Sequence, residues 1–390
     1  MPWNVSSPMS QRADFIRDLE QGLFTFSDLC AHYGVSRKTG YKWRARFLQE
    51  GSPGLADRKR RPKSCPHATD AEIQARLVAV RRAHPFWGPR KVKAWLERRF
   101  PRTAWPAAST IGDLLKRADL VRPRRRRTPP GHPGRPLTVP EQPNHIWTVD
   151  FKGEFLTTDG VYCYPLTVVD SFSRYLLGCQ ALPAIALPFV QPVFTRLFAE
   201  FGLPSLIRSD NGVPFATQAI LRLSKLQVWW LHLGIRTELI EPARPQQNGR
   251  HERFHRTLKA ETARPPAGSL RAQQRAFNRF RFIYNAERPH EALDMDVPAH
   301  HYRRSPRAFP ERLPDFHYPA HFELRRVSRD GAIRWNNGLL NISHVLAGED
   351  VALEDVADGI YAVHFGPLVL GRFDERILKL SGPYPENRRR

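Results

Sequence analysis

Five arginines stand between residues 122 and 127, and seven prolines between 123 and 143. Proline removes a backbone donor and turns the residue before it away from the helical region, so this stretch builds neither a regular helix nor a core. It reads as an extended basic linker, residues 121–144, able to track phosphates. A chain of 390 residues is in any case too long for one compact core, so it must fold as separate units on either side. Charge divides at the same place. Residues 1–140 hold 29 basic and 11 acidic side chains, +18 of the total formal charge of +23. A polyanion is the partner such a balance implies, with the amino-terminal third as its main grip. Hydrophobic residues at 41%, with nine Trp and 23 Phe, call for folded domains rather than a disordered basic tail. No apolar run is long enough to span a bilayer, and the expectation is a soluble, cytoplasmic chain.

Before the linker the pattern is helical. Phe15, Ile16 and Leu19 share one face of a helix from Gln11 to Gly22. Thr25 opens a second, closed at Gly34, and Ser36 caps a third carrying Arg37, Lys38, Tyr41, Lys42, Trp43, Arg44 and Phe47. This is the layout of a helix-turn-helix, in which Arg37, Lys38, Lys42 and Arg44 are the candidate DNA contacts. The alternative is a small bundle with a solvated charged face, against which the nearby cluster Arg58-Lys-Arg-Arg61 counts. A capping box at Thr69-Asp-Ala-Glu72 opens a second helical module with segments at Trp87 to Leu96 and Ser109 to Lys116. Arg124, Arg125, Arg126 and Arg127 in the linker are further candidate DNA contacts.

After the linker, strands are expected at Ile146 to Phe151, Tyr162 to Asp170, Tyr175 to Leu182, Ser205 to Ser209 and Ile235 to Ile240, alternating later with helices. That order implies an α/β sheet with helices on its faces. From about Phe322, turn signals at Asp330-Gly331, Asn337-Gly338 and Asp358-Gly359 separate β-rich runs, read as a small β-barrel. The expected organisation is a helix-turn-helix domain (1–56), a basic linker (57–68), a second helical DNA-binding module (69–120), the Arg/Pro linker (121–144), a catalytic core (145–303), a linker (304–320) and the barrel (321–383).

Three acidic residues stand out in the core. Asp150 interrupts an apolar strand, Asp210 ends another before the turn Asn211-Gly212, and Glu252 lies near the start of a helix. Carboxylates at strand ends are held by a rigid sheet yet open to solvent, which suits a metal site. Two Mg²⁺ ions roughly 3.5–4 Å apart need such converging oxygens for phosphoryl transfer. Arg256 and Lys259 follow Glu252 by four and seven residues, on the same helix face, as candidate contacts for the DNA strand. For any single acid a turn cap or surface ion pair is the more ordinary role, and the combination is what carries the reading. Asp170 reads as a turn cap, Asp159 and Asp296 are discounted, and Glu261 is the fallback for Glu252. The four cysteines form no C-x-x-C pair, the fifteen histidines show no His-x-x-x-His pairing with nearby Cys, and zinc is left out.

At these residues the sequence resembles the retroviral-integrase-like branch of bacterial insertion-sequence DDE transposases. Trp147-Thr-Val-Asp150 is similar to that family's first-Asp strand and Val169-Asp-Ser-Phe-Ser-Arg174 to the strand pair after it. Ser209-Asp-Asn-Gly212 with Phe215 is similar to its second-Asp motif, and Pro245 to Lys259 to its Glu helix. Tyr284-Asn, Arg288-Pro-His290, Leu293 and Pro298 also match the pattern. The resemblance implies an RNase H-like catalytic core, an Asp150–Asp210–Glu252 triad with two Mg²⁺ or Mn²⁺ ions, cleavage at element ends and strand transfer into target DNA. It also implies double-stranded DNA as partner, a homo-oligomer assembled on paired ends, and a nucleoid-associated location in a bacterium. One departure is the 42 positions from Asp210 to Glu252, longer than the family's commonest spacing, with the extra residues placed in Thr217 to Leu233. The His/Cys zinc module of retroviral integrases is missing, which fits a bacterial transposase better than a viral enzyme. Two competing readings are a DNA-binding regulator that has lost catalysis, opposed by the intact carboxylates, and a structure-specific nuclease, opposed by the tandem helical modules.

Overall fold

In a computed structural model of the chain, residues 7–58, 68–121, 137–241 and 249–382 are described, the side chains of 249 and 250 excepted. The chain divides into two compact units that part at residue 68.

In the first unit, α1 (Pro8–Gln21), α2 (Phe26–His32) and α3 (Arg37–Glu50) each start on a hydroxyl cap. Ser7, Thr25 and Ser36 accept from the backbone N–H of Ser10, Asp28 and Thr39, satisfying donors that have no partner inside the helix. Phe15, Ile16, Leu29, Cys30, Trp43 and Leu55 close the core. A Cβ added to Gly40 would lie 2.7 Å from Cys30 Sγ, so glycine lets α3 press against α2. Trp43 anchors α3 from the inside, and Arg37, Lys38, Lys42 and Arg44 are exposed.

The second unit opens with α4 (Ala71–Ala83), α5 (Pro89–Arg99) and α6 (Ala108–Arg117), packed around Leu77, Trp87, Val92, Leu96, Ile111 and Leu115. The cap of α4 is Asp70, whose carboxylate accepts from Glu72 N–H, one residue later than the expected Thr69. Arg124 to Arg127 lie outside the described residues.

A mixed sheet follows, formed by β1 (Ile146–Phe151), β2 (Phe155–Leu156), β3 (Tyr162–Asp170), β4 (Leu176–Leu182), β5 (Leu206–Ser209) and β6 (Arg236–Leu239). Strands β1, β2 and β4 run antiparallel to β3, while β5 is parallel to β1 and β6 to β5. Successive side chains on a strand point to opposite faces, so β1 serves two layers. Trp147 and Val149 join Leu166 and Val168 against α7 (Leu187–Phe201) and α8 (Lys225–His232), through Phe194, Phe198 and Trp230. The other face carries α9 (Gly249–Thr262) and α10 (Leu270–Phe282), whose Phe254, Leu258, Phe277 and Phe280 pack on Val169, Leu176 and Cys179. Asp150 and Thr167, one residue out of phase with the α7 layer, share the α9 side.

The expected insertion between Thr217 and Leu233 contains α8. Its Leu226 and Trp230 belong to the sheet core, while Val228 and Leu231 belong to a second core shared with the carboxy-terminal strands. Those strands are β7 (Glu323–Arg326), β8 (Ala332–Trp335), β9 (Gly338–Asn341), β10 (Asp350–Ala357), β11 (Ile360–Phe365) and β12 (Leu368–Asp374). Here the expected barrel is corrected. The strands form an open four-stranded sheet, β12-β11-β10-β7, and a separate hairpin, β8–β9. The hairpin strands are four residues each, and the turn at Asn336, with φ 47°, folds them onto one another rather than onto the edges β7 and β12. Burial of Ile333, Leu340, Val351, Val363 and Phe365 between sheet, hairpin and α8 closes the core without closing a barrel.

Candidate active site

Asp150 sits at the carboxyl end of β1, and Asp210 follows directly on the carboxyl end of β5. The two strands are parallel neighbours in a register that pairs Trp147 with Ile207 and Thr148 with Arg208. The pairing ends at Thr148 and Arg208, and each aspartate lies two residues beyond its member of that last pair. Crevices at the carboxyl ends of parallel strands are where α/β sheets open to ligands.

The loop after Asp210 is held in shape by its own polar groups. Gly212 N–H donates to the Asp210 carboxylate at 3.2 Å, Asn211 donates its amide to the Ile240 carbonyl at the end of β6, and Arg222 donates to Asn211 Oδ1 at 2.8 Å. A Cβ on residue 212 would lie 3.2 and 3.4 Å from the two Asp210 carboxylate oxygens, so glycine leaves them room. Burial raises the Asp210 pKa above its ordinary value, and the Gly212 N–H counteracts this in part.

Helix α9 turns His251, Phe254, His255, Leu258 and Thr262 inward, at the spacing of one helix face. Glu252 and Arg256 lie on the exposed flank and Lys259 is half-buried. Beneath the helix, Thr167 is fully buried opposite Asp150 in the β1–β3 ladder. Its hydroxyl donates to the Asp150 carbonyl at 3.0 Å, and the Nε2 atoms of His251 and His255 lie 2.7 and 2.8 Å from the same oxygen. His255 Nδ1 is 3.7 Å from Asp150 Oδ2. Burial pushes the His251 pKa down to about 3 and that of His255 well below the ordinary imidazole value, so both rings are neutral near pH 7.

Among the described residues, the group of three side chains that gathers potential ligand atoms, all within 4.8 Å of one another, is Asp150, His251 and His255. Glu252 is not in it. The histidine pair is visible in the sequence as a four-residue repeat, but its carboxylate partner comes from a strand a hundred residues earlier. The other acids have local duties. Asp170 is fully buried and accepts from Asn144 N–H and from the N–H and hydroxyl of Ser173, the turn-capping role expected of it. Asp159 accepts within its turn, Asp296 accepts from Val297 N–H and faces His300 and His301, and Glu261 is paired with Arg288 at 2.6 Å.

Residues 140–245 and 233–298 match integrase core domain families, residues 39–115 a homeodomain-like domain and residues 11–63 a helix-turn-helix domain. The chain is 29% identical over 249 residues to the uncharacterized protein of insertion element IS476 of Xanthomonas euvesicatoria, covering 63% of this chain and 69% of that one. It is 28% identical over 236 residues to its counterpart from insertion element IS407 of Burkholderia multivorans, covering 60% and 82%. Among solved structures, a simian T-cell lymphotropic virus intasome chain is similar at 20% identity and a TM-score of 0.36, over 74% of this chain and 94% of that one.

Proposed function

We infer that the chain is the transposase of an insertion element, a polynucleotidyl transferase, because it matches helix-turn-helix and integrase core models and resembles bacterial insertion-element proteins. It binds the DNA ends of its element, cleaves a strand there and joins the free 3′ end to target DNA. The observation that carries this reading is the placement of Asp150 and Asp210 at the open ends of adjacent parallel strands, with Glu252 in the first turn of α9, the helix that brings His255 beside Asp150.

The residues fit a hard divalent cation. Two carboxylates stand at the ends of neighbouring strands, one of them desolvated, and a glycine clears the space beside its oxygens. Asp150, Asp210 and Glu252 would hold two Mg²⁺ or Mn²⁺ ions, which supply activation of the attacking hydroxyl and stabilisation of the leaving oxygen. Glu252 on the exposed flank of α9 would complete the set by a turn of its long side chain toward the strand ends. Arg256 and Lys259, on the same flank, lie where a phosphate backbone would run. The exposed Arg37, Lys38, Lys42 and Arg44 present a recognition helix to a major groove, and Arg124 to Arg127 add phosphate contacts. Paired ends call for a homo-oligomer, and the substrate calls for a cytoplasmic, nucleoid-associated location.

The test is joining of labelled element-end DNA. Asp150→Asn, Asp210→Asn and Glu252→Gln should each abolish cleavage and joining while leaving end binding intact. Joining at the wild-type rate by the Asp150 or Asp210 variant would overturn the assignment. Retained activity in the Glu252 variant alone would transfer the third role to another acid.

A further inference from the structure

His251 and His255 have no part in the reading above, yet their arrangement is specific. A hydroxyl carries one hydrogen and two lone pairs. With the Thr167 hydrogen on the Asp150 carbonyl, which accepts only, both histidines donate their Nε2 hydrogens to Thr167. Both rings are thereby fixed in one tautomer, and both Nδ1 atoms keep a lone pair. The Nδ1 lone pair of His255 then faces the Asp150 carboxylate across 3.7 Å, acceptor against acceptor. A cation between the two would satisfy both acceptors at once. A tetrahedral zinc-like ion bound to one nitrogen and one oxygen spaces them about 3.4 Å apart, close to what is found.

We propose that Asp150, His251 and His255 form a nitrogen-rich site for a first-row transition cation of the Zn²⁺ class, distinct in chemistry from the all-carboxylate Mg²⁺ site. Imidazole nitrogens favour borderline cations, whereas Mg²⁺ prefers oxygen. Thr167 is its outer support, orienting both rings from behind as second partners of metal-bound histidines do. With three protein ligands, the fourth position is left to water or to an oxygen of the DNA. The site shares Asp150 with the transposase reading but stands or falls on its own.

The test uses the full-length protein and Zn²⁺ alone, by calorimetry and by X-ray absorption at the zinc edge. One tight site is expected, with scattering from two imidazoles in the wild-type protein. His251→Gln and His255→Gln, each keeping a donor toward Thr167, should lose that site, whereas Asp210→Asn and Glu252→Gln should keep it. Bound zinc without imidazole scattering in the wild type, a readout that needs no variant to fold, would overturn the proposal. So would loss of the tight site in Asp210→Asn with retention in both histidine variants. If Asp210→Asn still joins DNA in Mg²⁺ while zinc binds as expected, the transposase reading fails and this one survives. If zinc binds elsewhere while Asp210→Asn is dead for joining, the reverse holds.

Discussion

His232, the last residue of α8, faces Glu349 with Nε2 at 2.8 Å and the Pro314 carbonyl with Nδ1 at 2.9 Å. Two acceptors call for two N–H donors, so these contacts favour the imidazolium form of a ring that ties the sheet core to the carboxy-terminal strands. The Glu349 hydrogen bond raises its pKa above the ordinary value, against the opposing effect of burial. A raised histidine pKa stabilises the fold fully below the unfolded value of about 6.5, and that contribution disappears as pH rises through the folded value. His232→Gln should therefore cost about 1–2 kcal/mol at pH 6. The gap in melting temperature between variant and wild type should narrow toward pH 8.5. An equal gap at both ends would show that the charge contributes nothing.

Gly212→Ala places a methyl group 3.2 and 3.4 Å from the Asp210 carboxylate oxygens and must move them by a few tenths of an ångström. Misplacing a reacting geometry by a full ångström costs on the order of a hundredfold in rate, so a drop of roughly tenfold in joining is expected. End binding and the melting temperature should stay near wild type. A variant with unaltered joining would mean that the Asp210 carboxylate need not be held still.

Replacing Arg256 and Lys259 together by Ala should raise the DNA concentration needed for strand transfer without altering the Mg²⁺ requirement. Their charge has the wrong sign to bind a cation, and their helix flank is shared with Glu252. Parallel titrations of DNA and Mg²⁺ separate the roles. A shifted Mg²⁺ curve with normal DNA binding would show that they act on the acidic site instead.

In the amino-terminal unit, Lys38 is exposed on α3, while Lys42 Nζ stands 4.7 Å from the centre of the Trp43 ring. Charge reversal at both should weaken binding to element ends more than to unrelated duplex. Each phosphate that is no longer neutralised should flatten the plot of log affinity against log salt by about 0.9. Equal weakening on both DNAs would show that α3 grips the backbone without reading sequence.

Much of this architecture is local and so can be read from the chain alone. Ser7, Thr25 and Ser36 cap helices because a hydroxyl at a helix start satisfies its own neighbours. The strand of Asp150 is visible because its apolar residues, Ile146, Trp147 and Val149, are nearly contiguous in sequence. The carboxylates of Asp150 and Asp210 are legible for the same reason, each lying at the end of an apolar run. What the sequence leaves open depends on partners distant in the chain. A strand shows which of its residues share a face, but not which helix will cover that face, so the closure of His251 and His255 over Thr167 beside Asp150 is decided by the packing of α9. The division of α8 between two cores is hidden likewise, since Trp230 and Leu231 are both apolar and only their different directions assign them. The barrel fails as an expectation because turn signals locate hairpins, while closure depends on whether the edge strands β7 and β12 meet, and hydrogen bonds between edges are a tertiary matter.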